Sequence, residues 1–206
     1  MEKAEFDAML AEGNNHKAKW KGEKYRMTVT TSSKVTGRPA TDYSSKMIFE
    51  FGPSMESRSV TTSVFGPNPA STRESMRIGN WVYSRSGNDP WTRKEYAAQA
   101  PTKENEESAY QVLSSQTEYR YLGEGKLIDK PVQMFAQTNR QKKVNQKTAE
   151  TYETESRTTY WVDANGMILK SEFIADNRGK NTSQTLVNTD WQLDPSITFA
   201  APEIVP

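Results

Sequence analysis

Apolar and polar side chains alternate along much of this chain. In residues 25–31, Tyr25, Met27 and Val29 are separated by polar residues. A period of two puts successive side chains on opposite faces, which is typical of a half-buried β-strand. Further strands are predicted at residues 47–51, 58–65, 76–78, 81–83, 117–121, 132–136, 140–147, 151–162, 167–173 and 185–191.

Short turn signals separate these segments. Gly79-Asn80 suits a tight hairpin, and Asn165-Gly166 is the strongest hairpin signal because both residues tolerate a positive φ. A two-residue turn at Asn165-Gly166 pairs Val162 with Leu169, with Tyr160, Met167 and Phe173 on the same face. Consecutive hairpins predict an antiparallel sheet of about ten strands, which must curl.

Two segments depart from this period. Residues 1–20 are predicted to form an N-terminal helix, interrupted at Gly13-Asn14-Asn15. Residues 93–115 are predicted to form a helical lid, because Ala109, Val112 and Leu113 share one helix face and glutamates occupy the first turn. The expected fold class is therefore mainly β with α, and residues 1–206 form a single domain.

Charge and composition exclude several classes of function. The chain has 27 Lys and Arg against 26 Asp and Glu, a net charge of +1, so a nucleic-acid partner is not expected. It has no cysteine, which excludes disulfides and thiolate sites. No apolar run reaches the roughly 18 residues of a transmembrane helix. No leader is visible after Met1, so we expect a cytosolic protein or a mature sequence after signal cleavage.

Catalytic chemistry is poorly represented. His16 is the only histidine, and we interpret it as a solvated surface residue near the end of the helix. Glu104, Glu106 and Glu107 are explained by a helix start. Without a nucleophile and base set, no enzyme activity, metal or cofactor is predicted.

The positive signal is a set of aromatic, methionine and aliphatic residues spread over the strands and the predicted lid. Methionine adapts to varied apolar partners, and a curved sheet with few helices leaves room for an apolar ligand. Each residue alone is also explained by core packing. The predicted lining residues are Met27, Met47, Phe49, Phe51, Val60, Met76, Trp81, Tyr83, Trp91, Tyr110, Leu113, Met134 and Leu169.

Four motifs, in order, resemble the LolA-like superfamily of periplasmic carriers of outer-membrane lipoproteins and their lipid-binding relatives. Residues 76–83 with 89–91 resemble its glycine, tyrosine and tryptophan segment, and residues 121–132 resemble a paired-strand motif. Residues 160–170 are similar to its Trp-Val-Asp hairpin, and residues 194–202 to its ending. The polar strands between residues 140 and 157 are longer and more charged than the family pattern.

The resemblance implies a half-barrel, a strongly curved antiparallel sheet around a hydrophobic cavity with a few helices as cover. It also implies a periplasmic location after signal cleavage, acyl chains of a lipid or lipoprotein as ligand, and a membrane-bound donor or acceptor protein. The alternative is an envelope sensor of the same fold that binds a protein partner. Stacking of sugars on Trp81 and Trp91 is a further open reading.

Overall fold

A computed structural model describes residues 1–54, 56–96, 110–179 and 182–204. Two helices come first, α1 (Lys3–Gly13) and α2 (His16–Lys19), and a short 3-10 turn lies at Pro39–Thr41. The strands are β1 (Tyr25–Val35), β2 (Tyr43–Phe51), β3 (Ser57–Phe65), β4 (Ser71–Ile78), β5 (Trp81–Ser86), β6 (Thr92–Glu95), β7 (Tyr110–Leu127), β8 (Lys130–Asn145), β9 (Thr151–Val162), β10 (Ile168–Arg178) and β11 (Ser183–Leu193).

All eleven strands form one antiparallel sheet, as the sequence predicted. The strand order is β6-β5-β4-β3-β2-β1-β11-β10-β9-β8-β7. Neighbours in the chain are neighbours in the sheet, and the first strand lies beside the last. Short hairpins such as the one at Gly79, where φ is 56°, produce this order. Because β6 and β7 stand at opposite ends of the order, the sheet is open; its half-barrel curvature stays a prediction.

The register between strands gives the sheet two distinct faces. Met27 of β1 pairs with Phe49 of β2 and with Trp191 of β11, so the three side chains lie on one face. His16 of α2 stacks on Trp191, with ring centroids 4.8 Å apart. We call this the helix-bearing face, and the other the opposite face.

Helix α1 packs its apolar side chains on the β7–β10 half of the helix-bearing face. Phe6 is fully buried, with its ring centroid 4.9 Å from that of Tyr119 and 5.8 Å from that of Tyr160. The end of the helix comes so close to β10 that a Cβ at Gly13 would lie 2.6 Å from Cγ1 of Ile168. A glycine is therefore required where α1 ends.

The interpretation of His16 as a solvated surface residue was wrong. His16 is 5% exposed, and its Nε2 lies 2.6 Å from the carbonyl oxygen of Ile168, to which it donates a hydrogen bond. The stacked ring and the hydrogen bond fix α2 to the sheet. A histidine in a polar sequence is buried here because the sheet supplies both an aromatic partner and an acceptor.

The predicted helical lid at residues 93–115 was wrong at both of its ends. Of the predicted lid, residues 93–95 belong to β6 and residues 110–115 belong to β7. Residues 97–109 lie outside the described part of the chain. Tyr110 pairs with Asn145 and Val112 with Lys143 of β8, so pairing with β8 overrides the helical spacing at the end of this segment. In the described residues the cover consists only of α1 and α2.

The predicted pairing of Val162 with Leu169 was wrong by one residue. Val162 pairs with Ile168, and an irregularity follows before Lys170 pairs with Trp161. The Asp163 carboxylate accepts hydrogen bonds from the backbone N–H groups of Asn165 and Met167. These bonds hold a loop that is longer than the predicted two-residue turn. Ile168 therefore joins the core beneath α1, whereas Met167 and Leu169 pack with Val132 in a second cluster.

We expect Phe6→Ala to destabilise the protein by about 3–5 kcal/mol, because it removes a fully buried ring from beneath α1. Phe65→Ala is the matched control, since Phe65 is 53% exposed at the end of β3. Urea unfolding followed by circular dichroism measures both. Equal losses in the two variants would show that α1 does not anchor the fold.

Candidate functional site

An open groove lies on the helix-bearing face, beside the segment that links α2 to β1. A cavity of about 610 Å³ is lined there by residues that include Trp20, Tyr25, Phe51, Ser57 and Arg77. A second cavity of about 300 Å³ adjoins it and shares Phe51, Ser57 and Arg77. We call the two cavities together the β1–β5 groove.

Aromatic rings form the floor of the groove next to α2. Tyr25 pairs with Phe51 across β1 and β2, and their rings stack with centroids 4.6 Å apart. The Trp20 ring lies 5.4 Å from that of Tyr25. Burial raises the pKa of the Tyr25 phenol, so this ring stays neutral at physiological pH. The floor thus offers apolar, uncharged surface.

The groove continues across β3, β4 and β5, where the side chains become small. Phe49 pairs with Ser59, Ser59 with Ser75, and Ser75 with Ser84, so a row of serines follows the phenylalanine on the same face. Phe49, Ser59 and Ser75 line the second cavity together with Val82 and Tyr96. Space therefore remains because serine side chains do not fill it.

The structure divides the predicted lining residues between two faces. Met27, Met47, Phe49 and Phe51 come together on the helix-bearing face, and Phe49 and Phe51 line the groove. The register puts another group on the opposite face, in which Met76 and Tyr83 are buried. That group consists of Val60, Met76, Trp81, Tyr83 and Met134.

The remaining predicted residues lie elsewhere. The Trp91 ring lies 4.7 Å from the guanidinium carbon of Arg85, which belongs to the opposite face. Leu169 packs in the second core cluster. Tyr110 and Leu113, expected in a helical lid, are 44% and 52% exposed on β7.

Sequence reasoning missed Trp20, Tyr25, Arg77, Val82 and Tyr96. A signal existed for Tyr25, which shares the alternation of Met27 and therefore its face. Arg77 had no such signal, because it lies between two apolar residues of β4. Only the pairing of Arg77 with Val82 brings it to the groove.

Two other cavities lie outside the groove. One of about 500 Å³ lies beside α1 and is lined by residues that include Met9, Val132 and Phe135. The other, of about 320 Å³, is lined mainly by polar and charged residues, Arg140 and Glu155 among them. The polar and charged lining of this smaller cavity does not suit an apolar ligand.

The side-chain chemistry of the groove suits binding. His16 is occupied by its contacts with Ile168 and Trp191. Among the described residues, no group of three His, Cys, Asp or Glu side chains could hold a metal ion. Neither helix in the described ranges has the length and apolarity needed to cross a membrane.

Charged side chains of β1–β5 form a connected ladder on the opposite face. Arg26 contacts Asp194 and Glu50, with N–O distances of 3.0 and 2.7 Å. Arg58 lies between Glu50 and Glu74, at 3.9 and 3.0 Å. Arg85 also contacts Glu74, with Nε 2.8 Å from Oε1. The carboxylates of these strands are thus held away from the groove.

Comparisons with known proteins give likenesses in structure only. No family model and no curated protein matches the chain. A LolA superfamily protein from Nitrosomonas europaea is 9% identical, with a TM-score of 0.31 over 91% of this chain and 93% of the other. A domain described as an outer membrane lipoprotein-sorting protein, from Vibrio parahaemolyticus, is 10% identical, with a TM-score of 0.26 and 93% of each chain covered.

Solved structures described with the LolA superfamily or with lipoprotein sorting are thus among those that the chain resembles. Since the chains superpose loosely at these TM-scores, the function has to be argued from the residues of this protein.

We expect Glu74→Gln to destabilise the protein by about 1–3 kcal/mol at neutral pH. Burial alone would raise the pKa of Glu74, but hydrogen bonds from Arg85 and Arg58 outweigh it and hold this pKa below the ordinary value. Stability from the ionised carboxylate is therefore present above the unfolded-state pKa and is lost as the pH falls through the folded-state pKa. The difference between the native protein and the variant should shrink below about pH 4.

The matched control is Glu155→Gln, in which an exposed ion pair with Arg140 is removed. Its effect should stay within about 0.5 kcal/mol. Urea titrations at several pH values measure both variants. A Glu74→Gln effect that does not vary with pH would contradict the role of the ladder.

Proposed function

We propose that this protein is a non-catalytic carrier that binds the acyl chains of a lipid or lipoprotein in the β1–β5 groove. One observation carries the proposal: Tyr25, Phe49 and Phe51 form a half-buried apolar floor beside a cavity of about 610 Å³. That volume lies within the range of small-molecule sites, about 300–1,000 Å³.

Binding is a partition of apolar chain from water into the groove. Each Å² of apolar surface removed from water contributes about 25 cal/mol. Met27 and Met47, which lie next to the floor on the same face, adapt to chains of different shape because their side chains are flexible. Release requires an acceptor that offers the chain a better apolar site.

The proposed compartment is the bacterial cell envelope, and the proposed partners are a membrane-bound donor and acceptor. Both follow from the order of the four motifs that resemble the LolA-like superfamily. The absence of a reactive side-chain set in the groove supports a role without catalysis.

A regulatory module that binds a protein partner is the second candidate. Apolar side chains on β7, at one end of the strand order, favour it: Val112 is 49% exposed and Leu113 is 52% exposed. A stoichiometric protein partner without bound lipid would support this reading over the carrier.

We expect Phe49→Ser to weaken binding of monolaurin, a neutral acylglycerol, about tenfold or more, because a ring that lines the groove is removed. Ile48→Ser is the matched control, since Ile48 is the half-buried neighbour in β2 that faces the other way. Displacement of Nile red, a neutral fluorescent probe, measures the affinity of each variant.

A second pair of variants changes the volume of the groove instead of its floor. Ser75→Trp fills the second cavity and should abolish binding, whereas Thr72→Trp, on the opposite face of the same strand, should leave it unchanged. Circular dichroism establishes that each variant is folded. Equal affinities in all four variants, or no binding by the native protein, would refute the carrier proposal.

A further inference from the structure

Arg77 is the cation shared by both parts of the groove, whereas Lys21 lines only the larger cavity and Arg58 only the second. It lines both cavities, and its guanidinium carbon lies 3.5 Å from the centroid of the Tyr96 ring. Its Nε donates a hydrogen bond to the carbonyl oxygen of Gly79, at 3.3 Å. Among the described residues, no carboxylate forms an ion pair with it. The guanidinium is thus oriented by a ring and a carbonyl, with its charge uncompensated.

This situation differs from that of the three arginines in the ladder. Arg26, Arg58 and Arg85 each contact at least one carboxylate of the ladder. A charged group in a partly apolar site is costly without a partner. Ion pairs within the ladder therefore compensate the charges of its arginines, whereas no carboxylate of the described chain compensates the charge of Arg77.

The helix-bearing face of β1–β6 carries cations and no acids. The register puts Arg73, Arg77 and Lys94 on this face, with Arg77 and Lys94 on either side of Val82. Every acidic residue of these six strands lies on the opposite face, namely Glu50, Glu74 and Glu95.

The ends of the groove carry charges from connecting segments. Lys21, Glu23 and Glu56 line the larger cavity. The Glu56 carboxylate is engaged, since it accepts a hydrogen bond from the backbone N–H of Ser54 at 2.9 Å. The strands themselves therefore contribute only cations to this face, whereas the connecting segments contribute charges of both signs to the larger cavity.

We infer that the ligand of the groove is an anionic amphiphile, whose carboxylate or phosphate head group binds Arg77 while its chain lies on the aromatic floor. This inference rests on the proposed function and names its ligand class. A guanidinium binds two oxygens of one carboxylate or phosphate at once, and such charge-assisted bonds are among the stronger ones in proteins. The Tyr96 ring holds the guanidinium in place, which reduces the entropy lost on binding.

Laurate and lauryl alcohol test the inference, because they share a chain and differ in the head group. We expect the native protein to bind laurate about tenfold more tightly than the alcohol, in displacement of Nile red. Arg77→Met should remove this preference, so that the variant binds laurate and lauryl alcohol with similar affinity. Arg77→Lys should retain part of it, since the charge remains but the two-point geometry is lost.

Arg178→Met is the matched control for charge, because Arg178 is exposed on the opposite face of β10 and is distant from the groove in the register. It should preserve the preference for laurate. Raised salt should weaken laurate binding more than binding of the alcohol.

Equal affinity for laurate and alcohol in the native protein would overturn the anionic head group and leave the carrier proposal standing. Binding of neither compound would refute the carrier proposal itself. Inorganic phosphate is the third arm, which separates a lipid head group from a free anion. If phosphate alone bound as tightly as laurate, the site would be one for a free anion and the inference would fail.

Discussion

The register of β1 against its two neighbours is the constraint on which the rest of the structure depends. Met27 pairs with Phe49 on one side and with Trp191 on the other, which aligns three strands on one face. A slip of one residue would exchange the two faces of a strand, since side chains alternate with a period of two. If β1 slipped in this way, Arg26 would enter the groove, and Tyr25 and Met27 would lie on the face of the ladder.

The two faces depend on each other through charge. The ladder gathers the carboxylates of β2 and β4 into contacts with arginines, and Glu50 and Glu74 each contact two of them. The helix-bearing face of the same strands is left with apolar, hydroxyl and cationic side chains. The groove is therefore apolar and basic for two reasons. Its own residues are aromatic, small or cationic, and the ladder holds the carboxylates of these strands on the opposite face.

Much of the fold was accessible from the sequence because strands carry a local signal. The alternation of Tyr25, Met27 and Val29 predicts β1, and Gly79-Asn80 predicts the hairpin between β4 and β5. The end of the predicted lid was misassigned because the spacing of Val112 and Leu113 also fits a helix. These residues form a strand because they pair with β8. That pairing joins residues far apart in the sequence, so the local pattern does not reveal it.

The site was only partly accessible for the same reason. Periodicity identifies apolar residues and their alternation, but it does not say which strands will be neighbours. Val60 and Met76 therefore looked equivalent to Phe49, although the register places them on the other side of the sheet. His16 was misjudged because its partners, Trp191 and Ile168, lie at the far end of the chain.

The pairing of β1 with β11 affects the order in which the molecule folds. Tyr25 pairs with Leu193, so the middle of the sheet is closed by two strands that are far apart in the chain. Closing so long a loop carries a large entropic penalty before any contact compensates for it. The hairpins of each half can form early and locally, whereas joining the halves is the slow event. During synthesis on the ribosome, β1 has to wait for its second partner until nearly the whole sheet has been made.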